Sequence, residues 1–109
     1  MPPRLTRDAG KLLIQLYKLY LERRKSGISK REAREFGSYA NIIGLIDTSL
    51  SADDLNDTLI ELKFTGYINA LFADDVCCES ELTDLAIVTM ENRFKDNLTS
   101  VISFLAGLK

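Results

Sequence analysis

Cys77 and Cys78 are the only thiols in a chain of 109 residues, and they are sequence neighbours. Adjacent side chains on a strand leave by opposite faces, which suits two reduced thiols; a strained vicinal disulfide or redox switch is the alternative. The chain has no histidine, which removes the imidazole base, any Ser-His or Cys-His pair and histidine as a metal ligand. Two adjacent cysteines without further ligands make a poor zinc site. The carboxylates come in tight groups, Asp53/Asp54/Asp57 and Asp74/Asp75, without the spaced ligands and glycine of a calcium loop. No glycine-rich phosphate loop is present. These residues predict a protein that is not an enzyme, with no catalytic residue, no metal and no cofactor.

Charge is the stronger signal. Residues 1–36 carry ten of the fourteen Lys and Arg side chains against four acids, whereas the remainder carries four bases against twelve acids. The net charge of −2 hides this polarity. Six cations gather where the first two helices are expected to meet: Arg23, Arg24, Lys25, Lys30, Arg31 and Arg34. Such a cluster would grip phosphates; the alternatives are a solvated helix end and a surface facing the acidic half of a second subunit.

The elements that position these residues follow from caps and periodicity. Thr6 caps a helix over Arg7–Lys25, with Leu12, Leu13, Leu16, Tyr17 and Tyr20 at helical spacing and Ser26-Gly27 as its stop. Ser29 and Glu32 form a capping box for a second helix from Lys30. Gly37-Ser38 breaks it, and Tyr39–Leu45 reads as a further helical piece. Ser51 caps a helix carrying Leu55, Leu59 and Leu62, which ends at Gly66. Tyr67–Ala73 and Val76–Leu82 read as strands joined at Asp74-Asp75. Thr83 caps a helix over residues 84–94, and an amphipathic helix follows the Lys95-Asp96-Asn97 link. The expected architecture is mainly α with a two-stranded β-wing, a single domain over 1–109 with a core of about 6–94 and an extra C-terminal helix of about 97–108. Met1-Pro2-Pro3-Arg4 leads into an amphipathic helix, and no apolar run approaches the ~20 residues of a membrane span. A cytoplasmic protein without a membrane partner is expected.

Ser51, Leu55, Thr58, Leu59, Leu62 and Gly66-Tyr67-Ile68 resemble the recognition helix and wing entry of the winged helix-turn-helix superfamily. Glu81-Leu82-Thr83-Asp84-Leu85-Ala86 resembles the start of the helix after the wing in small prokaryotic members, the PadR-like regulators and phage-related YjcQ-type proteins. Ala86 stands where those usually have Gly. The resemblance implies a transcription regulator that binds double-stranded DNA, with the helix after Ser51 in the major groove.

The surface chemistry of that helix pulls the other way. A helical wheel with the leucines inward turns Asp53, Asn56, Asp57, Ile60, Glu61 and Phe64 outward. Three carboxylates and no cation would repel phosphates, and Asn56 alone suits a base contact, to adenine. The wing adds Asp74, Asp75, Glu79 and Glu81. Asp53 and Asp54 also have a plain reading as helix-start electrostatics. If DNA is the partner, the six-cation cluster would supply phosphate contacts and Asn56 a base contact. The alternative is a protein-interaction module using Asp53, Asp57, Ile60, Glu61 and Phe64, unless the 39–50 segment covers the apolar pair. Leu98, Val101, Ile102, Leu105 and Leu108 form a stripe on the last helix, expected to make a homodimer or else to pack on the first helix.

Overall fold

The computed structural model describes residues 4–95 and 97–108; the Met1-Pro2-Pro3 start and Asp96 of the expected link lie outside them. The chain runs α1 (Arg7–Lys25), α2 (Lys30–Ala33), α3 (Tyr39–Leu45), α4 (Ala52–Phe64), β1 (Ile68–Ala73), β2 (Val76–Leu82), α5 (Asp84–Phe94) and α6 (Leu98–Ala106). It is mainly helical, with a two-stranded antiparallel sheet. No described helix is long and apolar enough to cross a membrane.

The caps act as their residue types dictate. Thr6, Ser29, Ser51 and Thr83 each accept, through the side-chain oxygen, the backbone N–H three residues on. Ser38 does the same for α3, and Asn97 for α6. Each cap satisfies a donor that the helix itself leaves free. Gly66, at φ +87°, closes α4 in the left-handed conformation that glycine adopts without steric cost.

α2 lasts a single turn, because the chain must leave it to bury Phe36, which is only 1% exposed. On the way Glu35 pairs with Glu81 in an isolated antiparallel bridge, Phe36 N–H donates to the Ser80 carbonyl at 2.9 Å, and Leu82 N–H donates to the Arg34 carbonyl at 2.9 Å. This bridge extends the sheet at the hairpin's base by a third, very short edge. The hairpin turns through Asp74 (φ 51°) and Asp75 (φ 63°), two successive left-handed residues as a tight turn matched to strand twist requires. Leu71 lies opposite Glu79 but Phe72 lies opposite Cys77, so Cys78 is the extra residue of a β-bulge. The bulge breaks simple alternation, and Cys77, Ser80 and Leu82 become the buried members of β2.

α1 is the central helix, touched by α2, α4, α5 and α6. Its Leu12, Leu13, Leu16 and Tyr17 meet Ile42, Leu55, Leu59, Leu62, Ile68, Leu82 and Val101 in one core cluster.

Candidate interaction surfaces

The basic corner forms where α1 ends and α2 begins, but its six cations are not equivalent. Arg23 lies over the Phe36 ring at 5.2 Å and donates to the carbonyls of Ala33 and Glu35. It holds the turn between α2 and the bridge against α1. Arg34 donates from Nε to the Leu82 carbonyl at 2.8 Å and from Nη2 to Asp84 Oδ1 at 2.9 Å. The hydrogen bond and the positive charge of Arg34 together hold the Asp84 carboxyl below its ordinary value. Arg23 and Arg34 were expected to contact phosphate; the fold instead uses both to brace its own backbone. Arg24, which donates to the Ile28 carbonyl at 3.2 Å, remains exposed together with Lys25, Lys30 and Arg31.

Asn56 requires a second correction. It is 6% exposed, not outward-facing. Its Nδ2 donates to the Ala52 carbonyl at 2.9 Å, and its Oδ1 accepts the Cys77 N–H at 2.8 Å. The wheel drawn on Leu55, Leu59 and Leu62 groups it with the outward residues, although it stands only about a quarter-turn from the leucines. However, α1, α3, β1 and β2 all pack on α4, so the buried arc is wider than the leucine stripe and takes in Asn56 and Thr58. Periodicity held no sign of a partner 21 residues away.

Glu61 is also spent within the fold. Its two oxygens accept from the Thr6 N–H at 2.8 Å and from Thr6 Oγ1 at 2.7 Å, tying α4 to the start of α1. It is therefore withdrawn from the free carboxylates expected on the outer face. Ile60 is half-buried, whereas Asp53 and Asp57 are exposed and Phe64 is 81% exposed. The cation of this helix, Lys63, leans over the Phe72 ring at 5.5 Å, on the flank toward the hairpin.

These positions give the surface a direction. Asp53, Asp57, Ile60 and Phe64 recur at helical spacing along one stripe of α4, about 16 Å long at 1.5 Å per residue. The Asn56–Cys77 hydrogen bond sets the early part of α4 beside the hairpin tip. Exposed Asp53, Asp54 and Asp57 thus share an end of the molecule with exposed Asp74, Asp75 and Glu79. Phe64 lies at the other end of the stripe, near the hairpin base. There the Leu85 side chain comes within 3.6 Å of where a Cβ on Gly66 would sit. Leu85 and Val88 of α5 are 42% and 51% exposed. Glu81, also at the base, is half-buried and accepts from Asn69 Nδ2 at 3.3 Å.

The stripe on α6 turns mostly inward. Val101 is fully buried, and Leu98 and Leu105 pack against the core while α6 lies on α1 and α5. Phe104 meets Phe94 edge-on at 5.7 Å, with the Arg93 guanidinium 4.3 Å from its centroid. Of the five residues expected at a dimer interface, Val101 is removed to the core, Leu98, Leu105 and Leu108 are half-buried, and Ile102 is 45% exposed. The two cysteines are free; Cys77 is buried, which pushes its thiol pKa up, and Cys78 is exposed.

No protein-family model, curated protein or solved structure matches this chain.

Proposed function

We propose that this protein is a non-catalytic regulatory module of the winged-helix type that binds a protein partner through the outer stripe of α4. The observation that carries this reading is Phe64, a large aromatic side chain left 81% exposed on the helix before the hairpin. Large exposed apolar groups gathered at one place mark interaction surfaces, and aromatic anchors dominate binding energy at such surfaces. Leu85 lies beside Gly66, two residues beyond Phe64, and carboxylates stand further along the Phe64 stripe, so a partner with an apolar pocket and a basic rim fits.

The same stripe is poorly suited to a DNA groove. Its carboxylates oppose phosphates, and its one base-reading amide is bound to β2.

The test uses the full chain as bait, with Phe64→Ala and Asp53→Asn/Asp57→Asn variants. A partner held by the wild type should be lost with Phe64→Ala, while the thermal midpoint stays within a few degrees of wild type. A partner held equally by both proteins removes the reading.

One observation favours duplex DNA as a second reading: Arg24, Lys25, Lys30 and Arg31 are exposed at a single corner. Binding there would be sequence-independent and steeply salt-dependent. Lys30→Ala/Arg31→Ala should then weaken duplex binding at low salt, and unchanged binding would exclude that corner.

A further inference from the structure

A groove of about 460 Å³ runs between α1, the end of α3 and α6. Leu45 and Ile46 wall it on one side, and Ile102 and Leu105 of α6 with Leu108 just beyond the helix on the other. Leu45 is 37% exposed and Ile102 45%, so both keep apolar surface in water at this place. On the α1 side the lining changes character. Lys11 and Lys18 stand about two turns apart on this helix, with Gln15 between them. Gln15 Nε2 donates to the Asp47 carbonyl at 2.9 Å and ties the end of α3 to α1, so two walls are held at a fixed separation. Among the described residues Asp47 is the only carboxylate in the lining, against the two lysine ammonium groups.

We propose that this groove binds a small amphipathic anion, an alkyl carboxylate of the medium-chain fatty-acid type. Its volume falls in the range of small-molecule sites, roughly 300–1,000 Å³. Leucine and isoleucine side chains would take the alkyl chain out of water. Lys11 and Lys18 can lay their methylene stems along that chain and offer their charged ends to its carboxylate. The excess of positive charge in the lining selects the anion over a neutral or cationic amphiphile of equal length. This site shares no residue with the α4 stripe.

Dodecanoate, kept below its micelle-forming concentration and titrated calorimetrically into the full chain, tests the proposal. Saturable binding near one molecule per chain is expected, with a neutral alkyl maltoside of the same chain length binding more weakly. Lys11→Gln/Lys18→Gln should weaken dodecanoate by about three- to tenfold, the size expected for two partly exposed charge pairs. Ile102→Glu should abolish binding while its thermal midpoint stays near wild type. If that variant fails to fold, Leu45→Glu closes the groove from the opposite wall. Phe64→Ala should leave the titration unchanged, which separates this site from the proposed protein-binding surface. Four results would overturn the proposal: no saturable binding, equal affinity for the neutral amphiphile, binding indifferent to the lysine substitutions, or binding only to anionic vesicles or to an acidic amphipathic peptide.

Discussion

Asn56 has both ends of its amide engaged inside the fold, so truncating it takes the acceptor from the buried Cys77 N–H. Asn56→Ala should cost about 1–3 kcal/mol, the range for leaving a buried group unsatisfied. For a domain of this size that lowers the thermal midpoint by roughly 5–15 °C in a melt followed by circular dichroism. Duplex binding, if present, should be unaffected. Asp84 makes a pH-dependent contribution of known sign. Its pKa is lowered in the folded state by Arg34, so the stabilisation is complete above the ordinary carboxylate pKa. It is lost as the pH falls from there through the folded value. The difference in urea midpoint between wild type and Asp84→Asn should therefore be larger at neutral pH than in strong acid. A difference that does not shrink on acidification would contradict this assignment.

Among the elements, α4 and α6 owe their placement to contacts that can be removed singly. Glu61→Ala should release the first turn of α1 from α4, seen as faster amide hydrogen exchange in the residues after Thr6. Val101→Ala should destabilise by about 2 kcal/mol through lost burial and the cavity left behind, whereas the half-exposed Ile102 should tolerate alanine with a much smaller effect. Comparing the two urea midpoints checks which side of α6 the core uses. Helix beginnings were legible in the sequence because a cap and its N–H lie three residues apart: Thr6, Ser29, Ser51 and Thr83 were identified from spacing alone. The hairpin was legible for a similar reason, with Asp74-Asp75 between two β-prone runs. The short life of α2 was not, because it depends on Phe36 reaching the core and on a bridge from Glu35 to the distant Glu81. The candidate sites were less legible than the fold. Asn56, Glu61, Arg23 and Arg34 have the residue types of surface binders, and only their tertiary partners show that they are structural. Exposed Asp53 and Asp57, by contrast, could be read from the wheel, whereas the exposure of Phe64 turned on whether the 39–50 segment covers it, which is a tertiary matter.

At the scale of the molecule, the sheet separates the two kinds of charge. The bridge and Arg34 set α2 at the hairpin base, whereas the Asn56–Cys77 bond brings the acidic end of α4 to the tip. A chain of net charge −2 therefore carries a positive corner and a negative end. At low ionic strength it should be retained both by an anion exchanger and, through Arg24, Lys25, Lys30 and Arg31, by a heparin column. Lys30→Ala/Arg31→Ala should abolish heparin retention and leave the anion exchanger's hold intact. Wild-type passage through heparin in low salt would show that the corner is too weak to act as a unit.

The bulge at Cys78 has a practical consequence. Two adjacent thiols would ordinarily be a nuisance to label, yet here one is sealed in the interior and the other stands in solvent. A maleimide dye should attach once per native chain, at Cys78, and a second time only after denaturation. The natural sequence thus provides a unique attachment point on β2, from which a fluorophore could report on the docking of a partner against the neighbouring helix.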